Sequence, residues 1–313
     1  MDTLTMILAA AVRSGTPILY ATLGEILTEK AGILNLGLEG IMLMGAYSGF
    51  VVSMTSGDPW LGFAAAFLVG CLMGLIHAFL CVSLNGNQVV SGLALTMFGT
   101  GVSSLLGRNY IGVTIQGLKD WSVPILSDIP VLGQVIFSQD ALVYLSFVLV
   151  FAMYFFLNST RGGLNLRAAG DDPHAADAMG LPVVRIRYLY TVIGAGIVAI
   201  GGAYMSVVYN KFWSEMMTAG RGWIAVAMVI FAIWNPIQAA VGAYLFGGIE
   251  ALQLRLQAAG TAIPMAVLLA LPYVTTLFVL VVISIRKSKG GAGTGGAGAP
   301  ASLGVPFYRE ERD

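Results

Sequence analysis

The side chains able to do chemistry are few and clustered. Glu25 and Glu29 are four residues apart, as are Asn35 and Glu39, all within the apolar stretch 24–45, GEILTEKAGILNLGLEGIMLMG. On a continuous helix each pair shares a face. A carboxylate carried to the centre of a spanning helix costs roughly 2.5–3.5 kcal/mol on the insertion scale. Glu39 must therefore meet a cavity or a hydrogen-bonding partner. Two readings of Asn35 and Glu39 are open: polar groups lining a path, or groups that bond backbone freed at a helix break near Gly32. With a second helix starting near Ile33, Glu39 lies roughly 9 Å along it at about 1.5 Å per residue. The two histidines, His77 and His174, are far apart, and neither HExxH nor a serine–histidine–acid spacing is present. No GxxxxGK[ST] is present either, so a phosphate-cradling P-loop is excluded. His77, inside an apolar run, reads as a hydrogen-bonded core histidine. No cofactor or metal is implied.

Two further constellations stand out. In residues 220–246, GRGWIAVAMVIFAIWNPIQAAVGAYLF, Gly220 and Gly222 flank Arg221 beside Trp223. Trp223 suits either stacking on a planar ligand or anchoring at an interface. Arg221 suits either an acidic partner or ligand hydroxyl, or a lipid headgroup. Residues 161–187, RGGLNLRAAGDDPHAADAMGLPVVRIR, form a polar island with Arg161, Arg167, Arg185, Arg187, Asp171, Asp172, Asp177 and His174. Asp172-Pro173 is a strong helix start, since aspartate accepts from the first free amides and proline suits the first position. A helix of about two turns follows, with Ala175, Ala176 and Met179 on one face, ended by Gly180 and Pro182. So short a helix has little stability alone. It is either a knob for another protein's groove or a connector on the membrane surface.

The elements that carry these groups follow from composition. Of 313 residues, 57% are hydrophobic and 10% charged, with mean hydropathy +0.83; soluble domains carry roughly 25% charged residues. The chain is read as an all-α polytopic membrane bundle with broken helices. Candidate spans of about 20 residues are 6–27, 33–54, 60–84, 88–106, 141–157, 188–209 and 262–285. Region 223–252 is apolar but interrupted at Trp234-Asn235-Pro236, giving two short helices or a re-entrant pair. The expected total is about eight to nine membrane segments. Glycine pairs Gly45/Gly49 and Gly70/Gly74 are read as packing seams. Cys71 and Cys81 share one apolar run and read as reduced core residues. The zero formal net charge gives no case for nucleic acid. The N-terminus lacks a signal-peptide pattern.

Lysine and arginine density places the island and the run 286–289 in the cytoplasm. Residues 107–140 and 210–222 then fall outside. The stretch 107–140 is either a surface for a partner or a lid over neighbouring helices. Residues 1–289 form the membrane domain, and the Gly/Ala-rich residues 290–313 a flexible tail. The glycine-rich broken regions 24–49 and 220–248 lie in opposite halves, a weak echo of the inverted repeats found in transporters.

The island's RAAGDDPHAADAMG closely resembles the cytoplasmic coupling loop of ABC-importer permeases in the branched-chain amino acid/ribose/nucleoside superfamily. The stretches LGEILTEKAGILNLGLEGIMLMGA, GRGWIAVAMVIFAIWNP and LFGG resemble its nucleoside/simple-sugar branch. The family pattern often has asparagine where this chain has Asp172; both cap a helix. The resemblance implies ATPase-coupling roles for Arg167, Gly170, Asp172, Pro173, Ala175, Ala176 and Gly180; Asn35, Glu39 and Trp223 are the residues that would line a substrate path if their polar and aromatic groups are read as its lining. It implies a multi-pass protein of the bacterial (inner) membrane. Its partners would be a cytoplasmic ABC ATPase, a second permease subunit in a heterodimer, and an extracytoplasmic substrate-binding protein. The ATPase would push the short helix, tilt the spans that carry it, and open a midplane cavity. The chain itself would not be an enzyme. The competing reading is a secondary transporter using Glu39 or Glu25 as a proton site; a membrane-embedded enzyme is disfavoured by the missing catalytic groups.

Overall fold

A computed structural model describes residues 3–124, 126–260 and 298–309, with scattered positions between 264 and 281. Its helices, in chain order, are α1 (Thr3–Lys30), α2 (Leu38–Ser56), α3 (Pro59–Ala78), α4 (Gln88–Gly107), α5 (Leu132–Ile136), α6 (Ala141–Ser159), α7 (Arg161–Asp171), α8 (Pro173–Ala178), α9 (Val183–Tyr204), α10 (Arg221–Phe231) and α11 (Pro236–Ala258). Among the described residues, seven helices are long and apolar enough to cross a membrane: α1, α2, α3, α4, α6, α9 and α11. Helix α10 is apolar but only 11 residues long. The expected span 262–285 falls mostly on residues outside the described set, as does the basic run 286–289.

Helix α9 is the hub: 83% of its most apolar window is buried. The reason lies in small residues, since lipid offers no hydrophobic drive between helices and close van der Waals approach must supply it. Both glycine pairs face α9. A Cβ at Gly45 of α2 would lie 2.2 Å from the Ala199 oxygen, and one at Gly70 of α3 2.5 Å from the Ala195 oxygen. Helix α1 joins by the same device, Gly24 against the Gly194 oxygen, and meets α11 at Gly15 and Gly247. Gly45→Ala is expected to cost about 1–3 kcal/mol by forcing α2 off α9, measured as a lower midpoint of thermal unfolding in detergent.

At one end of the bundle, residues 108–140 fold back over the helices. Strands β1 (Asp120–Ser122) and β2 (Ser138–Asp140) pair antiparallel. Arg13 of α1 donates to Asp120 (2.7 Å) and Gln139 (3.0 Å). Asp140 caps α6, accepting from the amides of Leu142 and Val143, and also accepts from the Tyr204 hydroxyl at 2.7 Å. Burial pushes the Asp140 carboxyl pKa up, against the pull of these donors. Ile115 donates to the Lys211 carbonyl at 2.9 Å, so the stretch 108–140 is tied to residues 210–213 and to α1. The opposite end gathers Lys30, the α3–α4 turn and the island. Cys71 and Cys81 are free thiols.

Three expectations change here. The second helix begins at Leu38, not near Ile33, so Asn35 lies outside it and shares no helical face with Glu39. The region around Trp234 gives one short helix and one of 23 residues, because Asn235 and Pro236 start a fresh helix with a full apolar run behind them. Within the island, the helix face differs: Ala176 is buried, whereas Ala175 and Met179 are exposed, Met179 by 84%. Ala176 turns inward because Ala169 and Val183 offer it an apolar seat.

Candidate functional site

Three features make up the candidate site: a break after α1, a break before α10, and the island. At the first, Gly32 takes φ +87°. The Gly32 amide donates to the Glu29 oxygen (2.8 Å) and the Ile33 amide to the Thr28 oxygen (3.3 Å), closing the helix end. Residues 33–37 then run non-helical inside the protein. Irregular backbone at membrane depth survives only where other groups satisfy it. Here the Asn35 amide donates to Glu25 Oε1 (3.0 Å), and the Leu34 amide to Gln88 Oε1 (2.7 Å). The Leu34 oxygen bonds His77 Nε2 (3.1 Å), while the Leu36 oxygen accepts from Thr96 (3.0 Å). The Asn35 side chain accepts from the Gly37 amide at 2.8 Å. The other ring nitrogen of His77 bonds Ser91 at 2.9 Å, so His77 is a hydrogen-bonded core residue as its apolar setting implied.

The second break is built on Glu39. Gly220 adopts φ +84° and α10 starts at Arg221. Glu39 Oε1 accepts from the Thr218 hydroxyl (2.5 Å) and the Gly220 amide (2.9 Å), and Oε2 from the Gly222 amide (2.7 Å). A carboxylate at a helix N-terminus meets both free amides and the positive end of the dipole. Glu39 is itself in the first turn of α2, so the starts of two broken helices meet at one buried acid. A Cβ at Gly222 would lie 2.4 Å from the Glu39 nitrogen. Arg221 pairs with Glu250 of α11, which also accepts from Ser14 of α1. Arg221 therefore faces an acidic side chain within the bundle rather than an outer headgroup. At the inner end of α10, Ile233 and Trp234 hold φ of 50° and 53°. The Trp234 indole donates to Glu29 at 2.6 Å, which ties this turn to the end of α1.

The island is two helices, not one. Thr160 caps α7, accepting from the Gly163 amide at 3.0 Å. Asp172 caps α8, accepting from the Ala175 amide at 2.9 Å, with Pro173 at its first turn and Gly180 at φ +82° just beyond its end. The contact that matters is Gly170. A Cβ there would lie 2.3 Å from the Lys30 oxygen and 3.1 Å from the Gly32 nitrogen. The loop thus sits directly on the first break. Arg187 of α9, 1% exposed, is beside the same point: a Cβ on Gly32 would lie 3.0 Å from its Nη2.

The structure gathers Arg167, Gly170, Asp172, Pro173, Ala175, Ala176 and Gly180 on this one loop. It divides the other three: Asn35 sits at the first break, whereas Glu39 meets the backbone next to Trp223 at the second. Asn35 and Glu39 are buried and bond backbone, whereas the Trp223 side chain is 41% exposed. Sequence reasoning missed Gln88, Thr96 and Glu250. The available signal was a polar residue inside an apolar helix.

Seven helices long and apolar enough to cross a membrane, two buried helix breaks and a polar loop seated on the first of them describe a multi-pass membrane protein. The chain belongs to the family described as branched-chain amino acid transport system / permease component, which matches residues 7–283. It is 42% identical to the "Putative glucose ABC transporter permease protein TsgC13" of Haloferax volcanii, over 90% of this chain and 92% of that one. It is 32% identical to the nucleoside ABC transporter permease protein NupC of Lactococcus lactis subsp. cremoris, over 99% of both. Against the guanosine ABC transporter permease protein NupQ of Bacillus subtilis the identity is 31%, over 99% and 98%. The chain is a multi-pass membrane permease subunit of an ABC importer, a transport component and not an enzyme. Such permeases work with an ATPase and a substrate-binding partner.

Proposed function

We propose that this permease imports a nucleoside or a simple sugar, and that α8 is where its ATPase subunit pushes. The substrate class rests on the nucleoside, guanosine and glucose names of the relatives. The mechanical role rests on one observation, the Gly170–Gly32 contact. A push on Ala175 and Met179 is delivered through α7 to the backbone where α1 ends, and through Pro182 to α9. Asp172 caps α8, Pro173 and Ala176 seat it, and Arg167 lies beside Lys30 on the α7 side of the junction. Asn35 and Glu39 belong to the substrate path in this reading as its hinges, and Trp223 as an aromatic surface beside the second hinge. The second permease subunit is proposed to be a different chain, in keeping with the resemblance.

The test is uptake of labelled guanosine and labelled glucose by cells carrying the assembled system. Uptake of one of them is expected to persist when the proton gradient is collapsed with ATP maintained, and to stop when ATP is depleted. Uptake that follows the proton gradient instead would return a carboxylate-driven secondary transporter; against that reading stand the protein groups that Glu25, Glu29 and Glu39 each bond.

A further inference from the structure

Residues 298–309 lie along the cytoplasmic end of the bundle and touch every part of the proposed lever. The Gly298 oxygen accepts from Lys30 Nζ at 3.0 Å. Ser302 donates twice to the Gly170 oxygen, from its amide at 3.1 Å and its hydroxyl at 2.5 Å. The Gly304 amide donates to the Gly32 oxygen at 3.2 Å. Arg187 donates to the Val305 oxygen and to the Ser302 hydroxyl, each at 3.2 Å. Phe307, 8% exposed, completes the apolar seat of Ala169, Ala176 and Val183. Its ring lies 5.0 Å from that of His174, with the Arg187 guanidinium 5.8 Å from its centre. Arg309 reaches Asp177 at 3.4 Å.

These contacts share one logic. Gly32 and Gly170 have no side chains with which to hold each other, and their carbonyls at the junction point toward a gap. Ser302 and Gly304 enter that gap and bond both oxygens. Phe307 then fills the space under α8 that short alanine side chains leave. A two-turn helix with little stability of its own is in this way fixed to the end of α1.

We propose that residues 298–309 are a strap that makes α7, α8 and the α1 break move as one body, so that a push on α8 is not lost as loop deformation. The proposal rests on the importer reading for its mechanical consequence but not for its structural one. The test uses the full transporter, with its ATPase and binding protein, in liposomes. Two variants weaken the strap, deletion of the chain from Gly298 onward and Phe307→Asp. Both are expected to lower uptake per ATP hydrolysed about fivefold or more, with the ATPase subunit still co-purifying. In the isolated permease both should speed amide exchange over residues 164–187. A third variant, Asp177→Cys with Arg309→Cys in a Cys71→Ser/Cys81→Ser background, is compared oxidised and reduced. A permanent strap leaves uptake per ATP within about twofold on oxidation. Unchanged coupling and exchange in the weakened variants would overturn the proposal. So would a rise in uptake after deletion, or loss of uptake on oxidation, since both describe a latch that must release. If the wild-type assembly shows no ATP-driven uptake, the importer reading fails, and amide exchange still decides the strap.

Discussion

Replacing Gly170 with aspartate is expected to lower uptake about tenfold or more while ATP hydrolysis continues, the signature of lost coupling between two sites. The cause is steric and local. The first atom of any side chain at this position would lie 2.3 Å from the Lys30 oxygen and 3.0 Å from its carbonyl carbon. Both are backbone atoms, so no rotamer change relieves the contact; α7 must lift from the end of α1. The exposed face of α8, with Ala175 and Met179, is untouched by that shift, so ATPase docking survives. Ala175→Arg should act at the other end of the same lever. Its Cβ is exposed, so the permease folds normally, and the bulk falls on the docking face. The two variants separate in a pull-down: Gly170→Asp retains the ATPase subunit, and Ala175→Arg retains less of it. Paired assays of hydrolysis and uptake on both variants check the prediction.

Glu39→Ala is expected to have the largest effect on stability. The variant leaves the Thr218 hydroxyl and the Gly220 and Gly222 amides without their acceptor. Each buried group so orphaned costs about 1–3 kcal/mol, and the lost cap lies within that sum. Three such groups span roughly 3–9 kcal/mol, and the lower part, roughly 3–5 kcal/mol, is expected because the variant also removes the desolvation cost of the buried carboxylate. It corresponds to a drop of about 5–10 °C in the unfolding midpoint. Glu39→Gln should fall between, because one oxygen still accepts while the amide nitrogen faces a donor. Thermal unfolding in detergent for the three proteins gives the order. Equal midpoints for Glu39→Ala and wild type would remove Glu39 from the hinge.

The helices were readable because their signals are local. Long apolar runs marked the spans, and Asp172, Pro173 and Gly180 marked α8 through capping chemistry that acts within a few residues. Gly32 announced the first break, and Trp234-Asn235-Pro236 the turn after α10. What could not be read is whatever depends on a partner far along the chain. Glu39 looks alike in sequence whether it lines a path or caps α10, since the hydroxyl and the two amides it binds come 179 to 183 positions later. The same holds for Gln88 and His77, whose role is to satisfy Leu34. Helix α7 was hidden because LNLRAAGD has a polar face and no apolar run. Ser302 and Phe307 sit beyond a glycine-rich stretch whose composition speaks only of chain freedom, and their contacts lie between Ala169 and Arg187, far earlier in the chain. The orientation of α8 was also tertiary: a two-turn helix of small residues carries no face strong enough to read before its seat is known.

If the loop moves the break, labelling at the break reads that motion. Leu34→Cys, in the Cys71→Ser/Cys81→Ser background, places a thiol at a half-buried position of the segment after Gly32. Its reaction rate with a water-soluble maleimide is measured in the assembled transporter, with and without ATP trapped by vanadate. A change of about tenfold on trapping is expected, absent when Gly170→Asp is added. An unchanged rate on trapping, or a change that survives Gly170→Asp, would show that the loop does not move the break.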